Sequence, residues 1–152
     1  MTLSELSRTL REIHVTPVKT MGQNFLHDQN LARWIVQQAD LSPAGQVVEI
    51  GPGLGALTKP ALETGAQILA IEKDARLANF LREDLANPRL EIVHADALEF
   101  DVRTLFPRGP MKLIGNLPYS VATPVLLRFL GKTTPITSAL LMLQMEVAAR
   151  LS

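Results

Sequence analysis

A short apolar strand that runs straight into three closely spaced glycines fixes most of what this chain can become. Residues 46–50 read QVVEI, and the chain continues Gly51-Pro52-Gly53-Leu54-Gly55-Ala56. Glycines let a backbone turn sharply and approach a ligand closely. A helix that follows such a turn offers unpaired N–H groups to an anionic ligand end. The next apolar segment, 67–71 (QILAI), leads to Glu72, 21 positions after Gly51. A carboxylate at that place accepts from both hydroxyls of a ribose, so turn and acid together signal a nucleoside cofactor. They do not choose which one, because Gly51, Gly53 and Ala56 also satisfy the G-x-G-x-x-G/A pattern of dinucleotide sites. The turn begins 50 residues into the chain, after a segment that looks folded, whereas dinucleotide domains usually open with it.

The rest of the chain repeats the same alternation. Further short apolar segments at 90–94 (LEIVH), 111–114 (MKLI) and 139–143 (ALLML) have the character of buried parallel strands. Helices are expected between them. Asp28 caps one that runs to about Asp40, with Leu31, Trp34, Ile35 and Gln38 on its inner face. A short helix spans Leu57–Glu63 and stops at Gly65. Others span Asp74–Leu85, with Leu77, Phe80, Leu81 and Leu85 on one side, and Val121–Leu130. Alternating strands and helices specify an α/β fold with a doubly wound, mostly parallel sheet. Such sheets bind ligands beyond the carboxyl ends of their strands, which directs attention to the residues just after each strand.

Two of those places carry chemistry. After the third strand stands Asp96-Ala97-Leu98, where the Asp can accept from the amino group of an adenine ring. After the fourth comes Gly115-Asn116-Leu117-Pro118-Tyr119. Pro118 lacks an N–H and fixes its own φ, so a turn around it presents carbonyl oxygens without competing donors. The Asn116 amide oxygen adds another acceptor, and Tyr119 gives a flat face for a base; such stacking contributes about 1–3 kcal/mol per base. Acceptors converging on an exocyclic amine hold its hydrogens and aim its lone pair outward. Transfer of a sulfonium methyl to an adenine N6 then needs mainly in-line placement and charge complementarity. The target base has to be unpaired or flipped out of a helix.

Taken together, these motifs resemble the ribosomal RNA adenine dimethyltransferases of the kasugamycin-resistance type. The match rests on GQNFL at 22–26, EIGPGLG at 49–55, Glu72, DAL at 96–98, NLPY at 116–119 and LQMEVAARL at 143–151. The resemblance implies a Rossmann-like methyltransferase fold and transfer of methyl groups from S-adenosylmethionine to N6 of two adjacent adenosines near the 3′ end of small-subunit rRNA, during ribosome biogenesis. It implies that Asn24 and Leu26 fold over the methionine part of the cofactor, with Gln23 shaping the lid. Gly51 and Gly53 line the floor, Glu72 holds the ribose and Asp96 the adenine. Asn116 sits between cofactor and target amine, and Tyr119 stacks on the target base. The family usually has Lys where Met145 stands, which weakens an expected RNA contact. It also continues past Ser152 with more strands and a small helical domain, so the chain is expected to be an incomplete domain. Residues 1–21 would form an arm and 22–152 the methyltransferase part, whose fifth strand would be an exposed edge. Weak cofactor binding and little rRNA methylation by this chain alone are expected.

Bulk properties constrain the alternatives. With 152 residues, 47% hydrophobic, the chain can bury a core. It has no cysteine, which excludes disulfides and thiolate chemistry, and its three histidines have no metal-ligand spacing. The expectation is a cytoplasmic monomer without metal or membrane contact, whose partner is small-subunit rRNA or the 30S precursor particle. Net charge is zero, but residues 1–100 hold 9 Lys/Arg against 13 Asp/Glu, and residues 101–152 hold 6 against 2. The positive last third can face phosphate. Two other functions stay open: a non-catalytic RNA- or DNA-binding assembly or transcription factor of the same fold, and an NAD-dependent dehydrogenase.

Overall fold

The computed structural model describes residues 2–14, 26–131 and 133–143. Its elements run α1 (Leu3–Glu12), α2 (Gln29–Ala39), β1 (Gln46–Ile50), α3 (Thr58–Glu63), β2 (Gln67–Glu72), α4 (Ala75–Asp84), β3 (Leu90–His94), a 3-10 helix (Val102–Arg108), β4 (Met111–Leu117), α5 (Tyr119–Phe129) and β5 (Ile136–Leu143). The strands form one sheet in the order β3-β2-β1-β4-β5, and every neighbouring pair is parallel. The chain winds outward from β1 through β2 to β3, then returns to the other side of β1 for β4 and β5. The strand order therefore reverses between β1 and β4, and a crevice opens there at the carboxyl ends of the strands.

Strand alternation distributes the core over both faces. Val48 and Ile50 of β1 join Leu69, Leu113, Val125 and Phe129 under α5 and the 3-10 helix. Val47 joins Ala32, Ile35, Val36, Ala61 and Leu62 under α2 and α3. The central strands are buried on both faces, as their unbroken apolar runs require. Asp28 caps α2 by accepting from Asn30 and Leu31 N–H groups, and Asp74 caps α4 by accepting from Arg76 and Leu77. A reciprocal Thr2–Glu5 capping box starts α1. Its Leu6 and Leu10 form a third small cluster with Leu54 of the glycine turn and Leu77 of α4.

The structure departs from the sequence expectations at four places, one being β5, which starts at Ile136 rather than Ala139. Strand β4 extends three residues beyond Ile114, because Gly115, Asn116 and Leu117 continue the ladder against Leu141, Met142 and Leu143 of β5. Helix α5 begins at Tyr119 rather than Val121, since Pro118 is already extended and its carbonyl accepts from the Val121 and Ala122 N–H groups. On α2, Trp34 is 57% exposed. Ile35 is buried and Leu31 partly so, as expected, and Ala32 and Val36 complete the inner face.

Phe129 is fully buried and stacks on Phe100 with ring centroids 6.1 Å apart, whereas Leu127 on the same helix is 75% exposed. Phe129→Ala is expected to cost about 3–5 kcal/mol by cavity formation, and Leu127→Ala less than about 0.5 kcal/mol. Urea unfolding of the two variants checks this; equal losses would contradict the packing described.

Candidate cofactor and base-binding site

The crevice between β1 and β4 is the mouth of a cleft of about 140 Å³. Four strand ends contribute to its wall: Gly51 and Gly53 after β1, Glu72 closing β2, Asp96 after β3, and Asn116 near the end of β4. Four places far apart in sequence thus meet because parallel strands deliver all their carboxyl ends to the same edge.

The glycine turn shows why its residues are needed. Gly51 and Gly53 have φ of +66° and +61°, a region that L side chains rarely enter. A Cβ on Gly51 would lie 3.2 Å from Leu117 Cδ2, so the turn packs directly on the β4 end. Gly51 N–H donates to the Ile71 carbonyl, which keeps the turn over β2. Glu72 closes the arrangement. Its Oε1 accepts from Gly53 N–H at 3.1 Å and its Oε2 from Asp74 N–H at 2.9 Å. A carboxylate has about four lone-pair sites, so acceptor capacity remains for a ligand hydroxyl. Burial raises the Glu72 pKa above the usual carboxylate range, opposed by the Asp74 and Gly53 N–H bonds.

Asp96 is both a turn residue and part of the cleft wall. Its Oδ1 accepts from Leu98 N–H at 2.9 Å, and its Oδ2 lies 3.5 Å from Lys73 Nζ. The ion pair is partly solvated, which makes it weak, but it orients the carboxylate. Asn116 is distinctive in another way: its Oδ1 is buried and has no hydrogen-bond partner among the described residues. A buried acceptor left unpaired costs free energy, and this one stands in the wall of a ligand-sized cleft. Together, the orphan amide oxygen, the glycine floor and the half-used carboxylate fit a nucleoside cofactor beside an amine-bearing base. The Pro118 carbonyl, by contrast, is engaged by helix α5, which leaves Asn116 Oδ1 as an open acceptor. Tyr119, first in α5, is 44% exposed, and its neighbours Pro118 and Val121 line the cleft.

Leu26 borders a smaller cavity of about 20 Å³ that adjoins the cleft through Gly51, Gly53 and Asn116. Gln23, Asn24 and the segment after Leu143 lie outside the described residues. One residue of the smaller cavity, Glu49, escaped the sequence reading together with its partner Thr58. Glu49 is 1% exposed and its Oε1 accepts from Thr58 Oγ1 at 2.6 Å. Its signal was present: a lone acid in the otherwise apolar strand 46–50.

The sequence model of the family described as ribosomal RNA adenine dimethylase matches residues 17–152. The chain belongs to that family. Among curated relatives, the ribosomal RNA small subunit methyltransferase A of Prosthecochloris aestuarii is 48% identical over 134 residues, which cover 88% of this chain and 51% of the relative. The enzyme of the same name from Corynebacterium efficiens is 44% identical, covering 97% of this chain and 53% of its own. The chain thus spans about half the length of these family members. Among solved structures, the 23S rRNA methyltransferase ErmE superposes with a TM-score of 0.71 at 34% identity, over 82% of this chain and 50% of that one. Family membership accounts for the linear order of the motifs, and the fold accounts for their convergence on one cleft.

Glu49 has a measurable signature. Burial is the main cause that pushes its pKa from 4.5 to about 7, with Glu72 adding repulsion and Thr58 opposing. Because the folded value lies above the unfolded one, this contribution to stability is complete below about pH 4.5 and is lost as pH rises through about 7. The loss amounts to roughly 3 kcal/mol. Glu72 acts in the same direction. Urea unfolding between about pH 5 and 8 should therefore show stability falling with pH, and Glu49→Gln should make the slope shallower. An unchanged slope would mean that Glu49 is not protonated in the fold.

Proposed function

We propose that this chain is the cofactor-binding and base-capturing half of an S-adenosylmethionine-dependent rRNA adenine-N6 dimethyltransferase. Its target would be two adjacent adenosines near the 3′ end of small-subunit rRNA, presented on a subunit precursor in the cytoplasm and met by a monomer. The observation that carries the reading is the buried, unpartnered Asn116 Oδ1 in the wall of a cleft floored by Gly51 and Gly53. The small-subunit target is favoured by relatives named for that activity at 44–48% identity.

S-Adenosylmethionine, when bound, supplies an electrophilic methyl group. The side chains do the rest by position. Glu72 accepts from ribose hydroxyls with the lone pairs that Gly53 and Asp74 leave over. Asp96, steadied by Lys73, accepts from the cofactor's adenine amine. Leu26 and Asn24 close over the methionine end. Asn116 Oδ1 accepts one hydrogen of the target amine, which turns the nitrogen lone pair away from the ring and toward the cleft. Tyr119 offers its exposed ring to the flipped base. This is catalysis by orientation and preorganised acceptors rather than by a strong base.

Calorimetry of the chain with S-adenosylhomocysteine and, separately, NAD tests the assignment. The first should bind and the second should not. Glu72→Ala should weaken binding by about tenfold or more, the range of hydrogen bonds to a charged group. Binding of NAD alone would overturn the proposal.

A further inference from the structure

Helix α1 supplies no residue to the cleft wall, yet it touches both segments that grip Glu72. One is the glycine turn, where Gly53 N–H donates to Oε1 at 3.1 Å. The next residue, Leu54, packs with Leu6 and Leu10 of the helix. The other is the start of α4, where Asp74 N–H donates to Oε2 at 2.9 Å. There Leu77 joins the same cluster, with Ile13 and Phe80 packed against it. Arg76 completes the link. Its Nη1 donates to the His14 carbonyl, just past the end of α1, and its Nη2 lies 3.5 Å from Asp74 Oδ2. His14 has a φ of +59°, a left-handed conformation that residues other than glycine adopt at a cost. A ten-residue helix is marginal on its own in water. α1 therefore persists through its docking, and the docking surface is the pair of segments that hold Glu72.

We infer that Arg76 is a positioning residue for ribose recognition, holding α1 as a clamp across the Gly53 and Asp74 segments. The inference rests on the proposed function, in which Glu72 accepts from ribose hydroxyls. The clamp keeps the two N–H donors at one spacing, and the Glu72 oxygens between them keep one direction. Without it, the turn and the start of α4 shift independently, and the carboxylate follows whichever donor moves. A hydroxyl bond weakens steeply once its angle is lost. The rest of the ligand is held elsewhere. Asp96 and Asn116 belong to the ends of β3 and β4 and stand outside the leucine cluster. Loss of the clamp thus falls on the ribose hydroxyls and spares the other contacts. Linkage also works in reverse: a ligand that uses Glu72 stabilises the docked helix.

The test is calorimetry of the whole chain with S-adenosylhomocysteine and with its 2′-deoxy analogue. The wild type should prefer the ribose form by about tenfold, the range of one hydrogen bond to a charged acceptor. Arg76→Ala should cut that preference to about threefold or less, with affinity for the deoxy form unchanged. Arg76→Lys, which keeps a cationic donor for the His14 carbonyl, should restore most of it. Leu6→Ser combined with Leu10→Ser, which undocks α1 and leaves Arg76 and Asp74 in place, should lower the preference as Arg76→Ala does. Hydrogen exchange of amides 6–12 should slow when S-adenosylhomocysteine is added, and slow less with the deoxy form. Equal weakening of both ligands by Arg76→Ala marks a general structural role and overturns the inference, as does an unchanged preference. A preference that survives the double serine variant overturns the clamp, and so does exchange that ignores the ligand. A wild type that binds neither ligand overturns the proposed function and this inference with it. Binding of both ligands without a ribose preference overturns the inference alone.

Discussion

A carboxylate held by two backbone N–H groups ties the site together. Glu72 ends β2, yet its oxygens reach Gly53 in the turn after β1 and Asp74 at the cap of α4. The bond to Gly53 sets how far the glycine turn stands from the neighbouring strand, and the bond to Asp74 sets where α4 begins. Hydrogen bonds to a charged acceptor are about twice as strong as neutral ones, so the group that shapes the empty cleft is also the group left to hold a ribose. The acid is thus scaffold and contact at once, and its burial, which raises its pKa, follows from the first role.

Around that link, the sheet order does the assembling. Reversal between β1 and β4 leaves one crevice, and parallel pairing sends the ends of β1, β2, β3 and β4 to it. The helices contribute indirectly. α1 lays Leu6 and Leu10 on Leu54 and Leu77, bracing the glycine turn from the side away from β4. On the other side, Leu117 packs where a Gly51 side chain would otherwise stand. The turn is held between two apolar contacts, and a ligand meets a floor that is already formed.

Much of this was legible in the residues. β1 and β3 begin and end where their apolar runs meet Gly, Pro or Asp, and Asp28 and Asp74 cap the helices they announce. Gly51, Gly53, Glu72, Asp96 and Asn116 were singled out one by one and converge on one cleft. What escaped depends on partners distant in sequence. No local signal says that 115–117 will pair with 141–143, so β4 read as shorter than it is. Several apolar residues of α2 compete for its inner face, and packing against α3 and the sheet takes Ala32, Ile35 and Val36 and leaves Trp34 outside. Glu49 and Thr58 meet across nine positions in a buried bond, and nothing in either residue alone declares it.

The pairing of Asn116 with Met142 places the most exacting oxygen of the site one strand from the margin of the sheet. Central strands are restrained on both sides; β4 gains its second restraint from β5, which is the outermost strand on that side among the described residues. The accuracy with which Asn116 is aimed is therefore a property of how firmly that border is finished. Whatever stiffens or loosens the border acts on the amide through a single rung of the ladder, a mechanical route that needs no contact with the ligand.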